Sequence, residues 1–177
     1  MSIAYGRPPR QIEEVLKLIA KAATGRKLLE SFMPLMTRGK VVIESYPEAL
    51  VSKLREVIPT GQPIGACFIV DPKTALGRIY LDFESPLGVL APFLVHEIVH
   101  ALDARIWQGH TRRKAALHAA EGSAFQSQFL FTQELRERDP EYDRFLRTTF
   151  PRAKILNELL EPEDIEALYS GEGEEAA

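Results

Sequence analysis

Two of the chain's four histidines, His96 and His100, stand four residues apart in the stretch VHEIVHALD, with Glu97 between them and Asp103 closing it. On an α-helix that spacing stacks both imidazoles on one face, a turn apart and within reach of a single ion. Glu97 is rotated by about 100° from His96, so it flanks such an ion instead of binding it. From there a carboxylate can take a proton from an attacking water, and the chemistry that H-E-x-x-H serves is metal-assisted hydrolysis. The competing reading is a buried helix whose polar residues are satisfied by neighbours. Burying a glutamate and two imidazoles on an apolar helix is costly without a cation, and this favours the metal.

A catalytic zinc takes three protein ligands and a water, so one more ligand is needed. Position 106, where a metzincin arrangement would place it, is Ile, and position 103 is Asp rather than Gly, so that class fails. Asp103 shares the helical face of the histidines but lies about 10 Å along the axis from His96, a place suited to orienting a ligand histidine. Glu121 lies on the following helix among Leu117, Ala120 and Ala124. A lone carboxylate on that apolar face is expensive to bury, which makes Glu121 the third ligand over a solvated surface charge. His118, one turn before it, and His110, in the connecting loop, stay open as ligands, transition-state donors or surface histidines.

The elements that must hold these residues are mostly helical. Ile12, Val15, Leu16, Ile19 and Ala20 recur at helical spacing over residues 10 to 24, and Gly25 is the expected stop. A second helical stretch covers 26 to 36, a short one 47 to 58, and a long one about 111 to 138, where Gly122 allows close helix approach. Asp139-Pro140 ends it, and shorter helices follow at 141 to 149, 152 to 160 and 162 to 169. Strands are expected at 40 to 45, 64 to 70 and 78 to 83, the last two as a hairpin. Because Pro92 interrupts a helix, the motif helix is placed from Pro92 to Trp107, and its apolar residues nearly all round make it central. The class is α+β, mostly helical with about three strands.

With 177 residues, 45% of them hydrophobic, the chain suits one domain, expected over 1–170, with 171–177 an acidic tail. A net charge of −3 gives no field that draws the protein to nucleic acid or an anionic membrane. The single cysteine, Cys67, excludes an internal disulfide and cannot build a cysteine zinc site alone. The proline- and charge-bearing N-terminus lacks the apolar core of a signal peptide, and no run is long enough to span a bilayer, so the expected compartment is the cytoplasm. Oligomeric state is not legible.

HEIVHALD followed, after 17 residues, by EGSAFQSQF resembles the gluzincin branch of zinc metallopeptidases, in which H-E-x-x-H on one helix is completed by a glutamate on the next. It is similar in particular to lethal-factor-like and related small bacterial peptidases, whose pattern runs H-E-x-x-H-x-x-D and then E-x-x-A or E-x-F-A. The resemblance covers about residues 78 to 130. It implies a zincin fold with the sheet packed on the motif helix, and one zinc ion held by His96, His100 and Glu121. It further implies Glu97 as general base, Asp103 as the acidic position after the second histidine, and a peptide or protein substrate. RIYLDF, 78 to 83, resembles the edge strand that lines the substrate groove and pairs with an extended peptide. Position 125 is Phe where thermolysin-type enzymes carry an aspartate. The oxyanion donor is left among Tyr80, His110 and His118. A zinc-binding sensor or interaction domain without turnover is the alternative; a di-iron carboxylate site would need a second E-x-x-H, which is missing.

Overall fold

A computed structural model of the chain describes residues 10–56, 64–108 and 114–149. The elements are α1 (Arg10–Ile19), α2 (Ala23–Thr37), β1 (Val41–Ser45), α3 (Glu48–Arg55), β2 (Ala66–Val70), β3 (Gly77–Leu81), α4 (Leu87–Leu102), the short α5 (Ala104–Trp107), α6 (Lys114–Arg138) and α7 (Pro140–Thr149). The class is α+β, mostly helical with one three-stranded mixed sheet, as the patterning predicts.

The motif helix α4 sits at the centre. Its residues Leu90, Leu94, Val95 and Ile98 are buried in one cluster with Ile12, Val15 and Ile19 of α1, Phe32 of α2, Ile79 and Leu81 of β3, and Phe131 and Leu135 of α6. Each large apolar side chain so buried contributes about 1.5–3 kcal/mol. The α4 helix therefore starts and ends where packing, more than local propensity, dictates. It begins at Leu87, with Pro86 as its N-cap, and runs through Pro92. The sequence places that start five residues too late, because Pro92 has no N–H to give the carbonyl of Gly88. In the fold the Tyr142 hydroxyl, from α7, donates to that carbonyl at 3.2 Å, so the helix continues. It also stops at Leu102 and not at Trp107: Asp103 is extended (φ −83°, ψ 109°) and caps the separate α5 by accepting from the Arg105 backbone N–H.

Gly25 is not the stop between the first two helices. The break falls at residues 20–22, and Gly25 lies buried in the first turn of α2. A Cβ there would stand 2.0 Å from the Ile19 carbonyl oxygen, so the missing side chain lets α2 begin hard against the end of α1.

The sheet has the order β1-β3-β2, with β3 parallel to β1 and antiparallel to β2. The hairpin expected from alternation is present, but β3 is the central strand. The expectation of an open edge at 78–83 is thus overturned: Ile79 pairs with Ile43 on one side and Phe68 on the other. Alternation reveals which residues face the core, whereas a parallel partner from earlier in the chain leaves no local trace. The edges of the described sheet are β1 and β2.

Asp139 ends α6 and starts α7. Its carboxylate accepts from the backbone N–H groups of Glu141 and Tyr142 at 3.1 Å and from Lys21 Nζ at 2.6 Å. The helices expected at 152 to 160 and 162 to 169, and the tail at 171–177, lie outside the described residues. No described helix is long and apolar enough to cross a membrane.

Candidate metal centre

Helix α4 carries His96, Glu97 and His100, all buried, and α6 packs along it and brings Glu121 to them. Ala120 and Ala124, which flank Glu121 on α6, are both fully buried. Gly122 does not serve a close helix approach, since a Cβ there would meet nothing within 4 Å. His96 Nε2 and His100 Nε2 are 3.0 Å apart. Glu121 places Oε2 at 3.2 Å from His96 Nε2 and Oε1 at 3.3 Å from His100 Nε2.

These spacings fit a small divalent ion. Bonds of about 2.0–2.1 Å in a tetrahedron separate ligand atoms by about 3.3 Å, close to the 3.0–3.3 Å found here. Protonation points the same way. His96 Nδ1 lies 3.1 Å from Gln128 Oε1, which can only accept, so a neutral His96 carries its hydrogen on Nδ1 and presents a bare Nε2. That lone pair faces a carboxylate oxygen and another ring nitrogen, an arrangement that requires a proton or a cation among them.

No protein-family model, curated protein or solved structure matches this chain.

What the site can do follows from its own electrostatics. Burial pushes the Glu121 carboxyl up, but the hydrogen bonds and charges of His100 and His96 outweigh it and hold the group at about 2. Glu121 is therefore an anion at neutral pH, as a ligand must be. For His100, burial disfavours the charged ring, yet the Glu121 hydrogen bond and the charges of Glu121, Glu97 and Asp103 raise its pKa overall. Glu97 behaves differently. Burial raises its pKa, only partly offset by His96, His100 and the backbone N–H of Phe68 on β2. Burial thus makes Glu97 harder to ionise than an ordinary carboxyl, while its neighbour Glu121 is made easier.

The remaining predicted residues are less central. The Asp103 backbone N–H donates to the His100 carbonyl at 3.1 Å, but its carboxylate is turned to Arg105, whose Nε and Nη2 hold it at 2.9 and 2.6 Å and keep its pKa low. The carboxylate acts on the His100 ring through its charge. Tyr80 alternates with the buried Gly77, Ile79 and Leu81 and so lies on the opposite face of the sheet from them, its ring stacked on Tyr46 at 5.6 Å. His118 is half-buried on α6 and is not part of the group formed by His96, His100 and Glu121. His110 lies outside the described residues. Cys67, on β2, has its thiol pushed up to about 11 by burial, Glu97 and Glu121, which leaves it neutral.

Two contacts to His96 escaped the reading of the sequence. Gln128 is buried against its Nδ1, and the Phe125 ring meets its imidazole edge-on at 4.5 Å. The signal was present in their spacing, since positions 121, 125 and 128 share one α6 face, but nothing in residue type marked Gln128 as a partner for a histidine.

Proposed function

We propose that the protein is a zinc-dependent peptidase of the gluzincin type, with His96, His100 and Glu121 as ligands and Glu97 as general base. The observation that carries this reading is that His96 Nε2 and His100 Nε2 lie 3.0 Å apart with one Glu121 oxygen 3.2 Å from the first and the other 3.3 Å from the second, beside the helix turn that also presents Glu97. Two imidazoles and one carboxylate are a donor set that suits zinc and leaves a fourth position for water. Zinc, when bound, supplies a Lewis acid and lowers the pKa of that water.

The chain's own residues do the rest. Glu97 accepts the proton of the attacking water and passes it to the departing amine, and burial, which raises its pKa, makes it readier to take up that proton. Extended substrate backbone pairs with β2, the sheet edge whose Phe68 N–H also touches the Glu97 field. Such pairing recognises main chain, so the reading predicts a peptide or protein substrate and leaves side-chain preference to the groove walls. His118 is the described histidine on α6 from which a transition-state donor is drawn.

The test is metal analysis of purified protein followed by hydrolysis of a mixed peptide library, with and without chelator. One zinc per chain with chelator-sensitive cleavage is expected. Tyr80 being stacked on Tyr46, on the face opposite the buried Ile79 and Leu81, favours a second reading, a zinc-binding sensor or interaction domain without turnover. Stoichiometric zinc with no cleavage of any peptide supports that reading over the first.

A further inference from the structure

We propose that Gln128 is a positioning residue that presets His96 for its ion, an inference that rests on reading His96, His100 and Glu121 as ligands. Gln128 is 4% exposed, and its Oε1 lies 3.1 Å from His96 Nδ1. A neutral imidazole has one N–H. The carboxamide oxygen holds it on Nδ1, which leaves Nε2 bare and aimed between His100 Nε2 and Glu121 Oε2.

Phe125 adds a steric stop. Its ring lies 4.5 Å from the His96 ring at 71°, so rotation of the imidazole about its own axis meets an aromatic wall. Glu121, Phe125 and Gln128 follow one another at intervals of four and three along α6. One helical face thus supplies a ligand, a wall and a tautomer lock to a histidine on the opposite helix.

His100 has no such lock. Its Nδ1 is buried without a hydrogen-bond partner among the described residues. To present a bare Nε2, His100 has to carry its hydrogen on that unpartnered nitrogen, which costs free energy that His96 does not lose. The two histidines of the motif are therefore unequal: His96 is preset by α6, and His100 adopts its ligand form only when an ion rewards it.

Long-range ¹⁵N–¹H spectra of the metal-free protein at mildly alkaline pH read the tautomers directly. His96 is expected with its hydrogen on Nδ1, and addition of zinc should leave that pattern unchanged while altering that of His100. Chelator competition then compares zinc affinity in Gln128→Leu, which removes the acceptor, and Gln128→Glu, which keeps one. The leucine variant should bind about 10–100-fold more weakly, and the glutamate variant should recover most of the loss. Thermal melts confirm that both are folded; if the leucine variant is not, the wild-type spectrum and the glutamate variant still decide. A His96 hydrogen on Nε2, or unchanged affinity in a folded Gln128→Leu protein, overturns the role of Gln128. Wild-type protein that binds no zinc overturns the metal reading and this role with it. Wild-type protein that binds zinc but cleaves nothing overturns the peptidase reading alone.

Discussion

His96 Nε2 and Glu121 Oε2 lie 3.2 Å apart although 25 residues separate them in the chain. With the His96 hydrogen on Nδ1 both are acceptors, and neither gains from the other unless a proton or a cation lies between them. On the zinc reading Glu121 supplies the negative charge of the site, and its removal leaves a gap on the α6 side. Glu121→Ala should keep the fold and lower zinc affinity by more than about 100-fold, since loss of a direct ligand exceeds the 10- to 100-fold typical of residues behind one. Isothermal titration with zinc reads this; wild-type affinity in the variant would remove Glu121 from the site.

Glu97→Gln separates binding from chemistry. The carboxamide preserves size and leaves His96, His100 and Glu121 in place, but it cannot take up a proton. Zinc affinity should stay within a few-fold of wild type while turnover of a cleaved peptide falls by about 100- to 10,000-fold. Equal turnover in the two proteins would exclude Glu97 as the base.

Gly25→Ala tests the contact that sets α2 against α1. A Cβ placed 2.0 Å from the Ile19 carbonyl oxygen forces the two helices apart, at a cost of about 3 kcal/mol by comparison with overpacked cores. Urea denaturation should show a lower midpoint, and an unshifted midpoint would mean that the helix junction yields freely.

Tyr142→Phe probes how α4 runs through Pro92. The substitution removes the hydroxyl that donates to the Gly88 carbonyl and leaves the ring packing nearly intact. The expected loss is about 1–2 kcal/mol, measured by thermal or chemical denaturation. No loss would show that the carbonyl is satisfied in another way.

Asp139 gives a pH dependence with a definite sign. The hydrogen bond from Lys21, reinforced by the backbone N–H groups of Tyr142 and Glu141, lowers its pKa below the ordinary value of 3.8. A lowered folded-state pKa means that its stabilisation is fully present above that ordinary value and is lost as the pH falls through the folded one. Asp139→Asn should therefore be less stable than wild type near neutrality, by about 0.2–1 kcal/mol for the lost ion pair with the half-exposed Lys21. The gap should close under strongly acid conditions; a gap independent of pH would contradict the assignment.

Much of this was legible in the chain. Helical spacing is local geometry, so the one-faced stacking of His96 and His100 and the flanking position of Glu97 follow from residue order alone. So do the central character of α4 and the alternation of Ile79 and Leu81, because burial preference is written in the period of apolar residues. The apolar setting of Glu121 likewise singled it out, and the fold brings it within 3.3 Å of both imidazoles.

Other features required the tertiary structure. The Gly88 carbonyl under Pro92 is met by a hydroxyl from α7, Gln128 meets His96 across two helices, and β3 gains a parallel partner that makes it central and leaves β2 at the edge. Each depends on a contact between segments far apart in sequence. Periodicity reports the face a residue turns to its surroundings, and the identity of what waits there is settled only when the chain closes on itself.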